Sequence, residues 1–216
     1  MARTIVVAQQ KGGAGKTTLV AQLAAALAER GTRLAVVDSD PQASLARWMQ
    51  MREHHRPPVP EIGFAVVAGW RLVATLDRLA RDFELLLVDT PPHAETEARV
   101  AVRAADLLLV PCQPSMLDIW ASDATFALAR REQRALRLVF NRVPPRGRAA
   151  EEAEAALRAH GVRPLVASLG NRRAFADSMA RGLGVVELEP RGRAAAEIRA
   201  LAAEVAALLE PAEAGS

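Results

Sequence analysis

Apolar residues along this chain fall into short unbroken runs, separated by longer stretches rich in alanine and leucine. Residues 34–37 and 85–88 are wholly apolar, and each run stops at an aspartate, Asp38 and Asp89. A continuous apolar run without alternation is what a strand covered on both faces of a parallel sheet requires. Residues 5–9, 64–68, 107–110 and 136–140 predict further strands, and a short one is expected near Leu165. Between them, helices are predicted over 17–30, 42–53, 72–81, 96–104, 115–134 and 149–160, then near 173–180 and over 194–209. Proline-rich loops are expected at 57–60 and 144–148.

Strands alternating with helices predict an α/β fold, a single domain whose mostly parallel sheet carries helices on both faces. The domain is expected to span residues 1–210, with 211–216 a frayed tail. Ligands of open α/β sheets bind beyond the carboxyl ends of the strands. Gln9, Asp38 and Asp89 close three of the runs, so their polar groups converge on one edge of the sheet.

The turn after the first run is where chemistry enters. Residues 10–18 read Gln-Lys-Gly-Gly-Ala-Gly-Lys-Thr-Thr. The common phosphate loop has glycine where Gln10 stands, so the strict pattern fails. The working parts are nevertheless present. Gly12, Gly13 and Gly15 permit a tight turn, and the helix starting at Lys16-Thr17 offers free amides to an anion. Lys16 is placed to reach the β- and γ-phosphates of a nucleotide, and the Thr17 hydroxyl to hold Mg²⁺.

Composition sharpens this. The chain has 28 basic residues, of which only Lys11 and Lys16 are lysine, and both lie in this loop. A compact ammonium on a flexible stem suits a phosphate at close quarters. One cysteine, Cys112, excludes a disulfide framework or a multi-thiolate metal site within one chain. Cys112 follows a buried strand and reads as a small core residue. Trp48 and Trp120 read as packing anchors, and the absence of tyrosine is plain. The opening apolar run is too short for a signal peptide, which suggests a cytoplasmic protein.

The loop, with its extra lysine at Lys11, resembles the deviant phosphate loop of the ParA/MinD class of ATPases. The likeness extends over nearly the whole chain. Val37-Asp38-Ser39-Asp40-Pro41-Gln42-Ala43-Ser44 resembles the second motif of the class, and Leu87-Val88-Asp89-Thr90-Pro91-Pro92 its Walker B segment. Residues 111–119 resemble the segment after the next strand, and length and order look closest to short ParA partition proteins lacking an N-terminal helix-turn-helix.

The resemblance implies an ATP-dependent sandwich dimer in which Lys11 reaches the partner's nucleotide, with ATP and Mg²⁺ as cofactors. It implies that Gly12, Gly13, Ala14, Gly15, Lys16, Thr17 and Thr18 cradle the phosphates, and that Thr17, Asp38 and Asp89 serve the metal. It assigns Asp40 to the attacking water, with only one of Asp38 and Asp40 facing the γ-phosphate directly. Asp38 as a helix cap is the other reading. Asn141 ends a strand where guanine-specific proteins carry N-K-x-D, but Pro144 replaces the aspartate, which favours ATP. By resemblance Asn141 contacts adenine, and otherwise it is a turn residue.

Arginines concentrate late in the chain, with seven between Arg130 and Arg148. By resemblance the DNA-contacting places are Arg172 or Arg173 and Arg191 or Arg193, against the alternative of a generally solvated basic surface. The implied partners are a second copy of the chain, non-specific DNA on the nucleoid, and a ParB-like or other cargo adaptor that stimulates hydrolysis. The cargo could be a plasmid, a chromosome or a protein assembly. A MinD-like membrane role calls for a basic amphipathic C-terminal helix, whereas residues 210–216 are acidic and carry Pro211. A biosynthetic ligase on the same scaffold calls for an added substrate domain, and none is evident.

Overall fold

Residues 2–55, 61–92, 95–146 and 148–210 are described in a computed structural model of the chain. Six parallel strands form one sheet: β1 (Arg3–Val7), β2 (Leu34–Asp38), β3 (Gly63–Val66), β4 (Leu85–Asp89), β5 (Leu107–Cys112) and β6 (Leu136–Phe140). Their spatial order is β3-β2-β4-β1-β5-β6. The predicted strand near Leu165 is not one. Its chain meets β6 in an isolated Leu138–Pro164 bridge closed by the Leu165 amide, and the Phe140 carbonyl is next taken by the Leu169 amide, four residues on where a continuing ladder needs two. The residue calls on 57–60 and 211–216 lie outside the described residues.

The strands are apolar throughout because both faces are covered. Val36, Leu87 and Leu109 face one layer, built from α1 (Lys16–Glu29), α2 (Ser44–His55), α7 (Arg173–Met179), α8 (Val185–Leu188) and α9 (Arg193–Leu209). Their neighbours Val37, Val88 and Leu108 face the other, built from α3 (Leu72–Leu79), α4 (Glu95–Ala104), α5 (Met116–Arg131) and α6 (Ala149–Ala159). Alternation of side chains along a strand sorts one run of residues into two cores. The one-turn helix α8 is too short to leave a periodic trace in the sequence. Helix α5 stops three residues before its expected end, because Gln133 turns left-handed (φ 52°) and Arg134 N–H closes onto the Ala129 carbonyl.

Trp48 is a packing anchor as expected, but Trp120 is 56% exposed and packs no core. One buried ion pair ties the first layer together. The Arg52 guanidinium donates two 2.7 Å bonds to Glu187, donates to the Gly182 carbonyl, and lies over the Trp48 ring. Gly182 takes a left-handed φ of 68° and packs against the α2 backbone at Met51–Arg52, where any side chain would collide. Helix α2, which follows the Asp38–Asp40 loop, is thereby fixed to the C-terminal segment. Removing one partner of a buried, bidentate pair strands the other charge, which costs about 3–5 kcal/mol. Glu187→Ala should lower stability by roughly that amount in urea unfolding. A loss near zero would show that the pair is not buried as described.

Candidate nucleotide site

The loop after β1 wraps the mouth of a cavity of about 1100 Å³ at the carboxyl edge of the sheet. Gly12, Gly13, Gly15, Lys16, Thr17 and Thr18 line it, and Ala14 is buried behind them. Gly15, the residue before α1, sits at φ 95°, and a Cβ there would collide with the Asn141 amide. Only glycine serves at that position. The α1 N-terminus has no side-chain cap, so its first amides stay open toward the cavity.

Lys16 is 7% exposed, and its ammonium donates to the Gln9 carbonyl at 3.0 Å. Burial lowers its pKa, while nearby Asp89 and Asp40 pull the other way. The Thr17 hydroxyl donates to Asp89 Oδ2 at 2.6 Å. Asp89 Oδ1 is buried and has no hydrogen-bond partner among the described residues. A hydroxyl beside an unpartnered carboxylate oxygen is the hard-oxygen donor set that Mg²⁺ prefers, so the residues fit that ion. Burial pushes the Asp89 carboxyl up to about 7, against the help of Thr17 and Lys16.

Asp38 and Asp40 have separate roles, for a reason the sequence pattern does not supply. Positions two apart in a strand share a face, but β2 ends at Asp38 and the chain turns. Asp38 Oδ1 accepts from the Asp40 amide and Oδ2 from the Ala46 amide, so both oxygens brace the loop and the start of α2. Burial raises its pKa, and the Ala46 and Asp40 amides oppose that. Neither Asp38 nor Asp89 lines the cavity, whereas Asp40 does; Asp38 differs from Asp89 in having both oxygens taken by backbone amides. The bracing reading therefore describes Asp38 better than the metal-binding one.

Asn141 lines the cavity, but its amide is engaged: Nδ2 donates to the Ala14 carbonyl and Oδ1 accepts from the Arg142 N–H. It holds the phosphate loop against the end of β6 from its place on the cavity wall. The wall beyond it comes from Leu169, Asn171, Phe175 and Met179. Phe175 and Met179 sit one helical turn apart on α7, which brings both onto the cavity wall.

The four expected DNA contacts separate. Arg172 is a correction: its guanidinium is bidentate to Glu197, whose Oε2 also takes the Gly170 amide, and it lines the cavity. That charge is committed inside the fold. Arg173 is exposed at the cavity rim, while Arg191 and Arg193 are exposed at the start of α9, away from it.

Lys11 does not line the cavity of its own chain. Its ammonium makes a 2.9 Å ion pair with Asp118 on the first turn of α5. Asp118 also accepts from the hydroxyl of the capping residue Ser115 at 2.6 Å. Sequence reasoning gave Asp118 no role, although Ser115-x-x-Asp118 has the spacing of a helix cap with an acid in the first turn. Gln9 was likewise seen only as a polar strand end. Its side chain donates to Ser122 on α5 at 2.7 Å while its carbonyl holds Lys16. Burial pushes the Cys112 thiol up to about 11, as befits a core residue and not a nucleophile.

A glycine-lined helix N-terminus facing a buried lysine and a hydroxyl–carboxylate pair is built for a nucleoside triphosphate with its metal. Residues 5–185 match the family described as the CobQ/CobB/MinD/ParA nucleotide binding domain, and the chain belongs to that family. It is 30% identical over 200 residues to maintenance of carboxysome distribution protein A of Halothiobacillus neapolitanus, covering 90% of this chain and 91% of that one. The protein of the same description from Gloeobacter kilaueensis is 34% identical over 203 residues, 92% and 89% of the two chains. Among solved structures, the septum site-determining protein MinD of Pyrococcus horikoshii with Mg-ADP aligns at a TM-score of 0.76 and 20% identity, covering 95% and 96%. The chain is an ATPase of the ParA/MinD class.

The raised Asp89 carboxyl has a consequence for the metal-free protein. A folded-state pKa of about 7 lies above the unfolded value of about 3.9, so the folded chain binds the extra proton between them. The contribution of Asp89 to stability is then fully present below about pH 4 and is lost as pH rises through about 7. Thermal melts in EDTA should show this decline, and Asp89→Asn should lack it. Parallel pH curves for the two chains would contradict the assignment.

Proposed function

We propose that this ATPase closes into an ATP-dependent sandwich dimer that positions a cargo along DNA. The observation that carries the proposal is the placement of Lys11, outside its own cavity and held by Asp118. Leu117 and Trp120, 70% and 56% exposed, flank it on the same helix. A cation beside exposed apolar side chains, at the edge of an open phosphate site, suits a partner copy that brings its own triphosphate.

In this mechanism the α1 amides and Lys16 neutralise the phosphates, with Lys16 exchanging the Gln9 carbonyl for phosphate oxygens. Thr17 and Asp89 would hold Mg²⁺, which supplies charge neutralisation on the phosphate oxygens. Asp40, on the cavity wall, orients the attacking water. Lys11 leaves Asp118 and enters the partner's site, as an arginine finger does in other nucleotide hydrolases. The nucleotide shifts the population toward the dimer because it binds that state better.

The resulting dimer binds nucleoid DNA without sequence preference, and a ParB-like or other adaptor on the cargo triggers hydrolysis and release. The relatives named for carboxysome distribution favour a protein assembly as cargo, over a plasmid or chromosome. Among the described residues no helix is long and apolar enough to cross a membrane.

Lys11→Ala tests this reading. The variant should still bind ATP as a monomer, yet lose ATP-dependent dimerisation by light scattering and at least about tenfold of stimulated turnover. Unchanged dimerisation and turnover would sink the trans-lysine mechanism.

A further inference from the structure

At the far end of α5 from Lys11, three helix ends meet on the amino edge of the sheet. Arg99 midway along α4 and Arg103 in its last turn share Glu132, at 2.8 and 2.6 Å. Arg130, at the end of α5, donates to the His160 carbonyl just past α6. Arg131 and Arg134 follow on the same turn, and the Arg163 carbonyl accepts from Leu138 on β6. All of these arginines except Arg99 are exposed. The acids among them are engaged: Glu132 by its two arginines and Asp123 by His160. Arg131, Arg134 and Arg163 form no ion pair among the described residues.

From these contacts we infer that this arginine rim is a phosphodiester-binding surface for duplex DNA, separate from Arg173, Arg191 and Arg193. The inference rests on the DNA-binding reading above and gives it a location. The rim carries forked guanidiniums, the group best matched to phosphate oxygens. Of the exposed large apolar side chains only Val166, three residues past Arg163, belongs to a rim segment, and a lone valine is a weak anchor in a lipid surface. The rim offers no element that would enter a groove, as expected for sequence-independent contact with the backbone. Helix α5 has 16 residues and so spans about 24 Å. DNA seated on the rim would therefore leave the phosphate loop and Lys11 free, and a two-fold dimer would present two such rims.

The test is fluorescence anisotropy of the ATP-bound full chain on a random-sequence duplex, at several salt concentrations. Arg131→Glu, Arg134→Glu and Arg163→Glu together should weaken binding at least about tenfold at moderate salt and flatten the salt slope by about two to three units. The corresponding glutamine triple should show a smaller loss in the same direction, and both should keep wild-type ATP turnover, which reports an intact fold. Wild-type affinity in the glutamate triple, with loss only in Arg191→Glu/Arg193→Glu, would overturn the rim while leaving DNA binding in place. A wild-type chain that binds no duplex with either ATP or ADP would overturn the DNA reading itself. Arginine-dependent sedimentation with anionic vesicles in place of DNA would overturn the choice of polymer.

Discussion

Two carboxylates lie side by side at the ends of adjacent central strands, and the site is organised around keeping them there. Asp38 and Asp89 are register partners of β2 and β4, and neither is exposed. Burying one such charge is costly, and burying two next to each other is worse. Each is offset in its own way. Asp38 takes two backbone amides, which orders the loop leading into α2. Asp89 takes the Thr17 hydroxyl and the field of Lys16, and keeps one buried oxygen without a hydrogen-bond partner among the described residues. The electrostatic cost of the fold is thus concentrated where a nucleotide with its cation can relieve it.

The surrounding contacts tie that point to both helical layers. Gln9 connects the carbonyl that holds Lys16 to Ser122 on α5. Asn141 joins the end of β6 to the phosphate loop. On the other face, Arg52 and Glu187 join α2 to α8, and Gln22 on α1 joins Ser178 and Val185. A shift of Lys16, Asp40 or Lys11 toward phosphate therefore has direct mechanical routes into α5, α2 and the C-terminal helices. These routes are packed side chains and hydrogen bonds, the usual carriers of coupling between a ligand and a distant surface.

The surface divides along the same axis. The carboxyl edge of the sheet holds Lys11, Leu117 and Trp120 around an open phosphate site, whereas the amino edge ends in arginines. Helix α5 runs from one to the other, with Asp118 at its start and Arg131 at its end. Under the proposed function, this separation would let one chain self-associate and hold a polyanion without competition.

Much of this was legible in residue order, because its causes are local. Unbroken apolar runs named five of the six strands cleanly, and glycine spacing with two lysines named the phosphate loop. The aspartate at the end of each of two runs named the carboxylates, since a parallel sheet delivers strand ends to one edge. What tertiary structure decided was which partner each polar group meets. Lys11 with Asp118, Arg172 with Glu197 and Arg52 with Glu187 are separated by 107, 25 and 135 positions, and no periodicity links them. The Glu197 pairing turns Arg172 from a presumed DNA contact into a cavity wall, and the Ala14 carbonyl, 127 positions away, makes Asn141 a brace of the phosphate loop. A side chain's chemistry is written in its type, but its availability depends on long-range neighbours that only the packed fold brings within 3 Å of it.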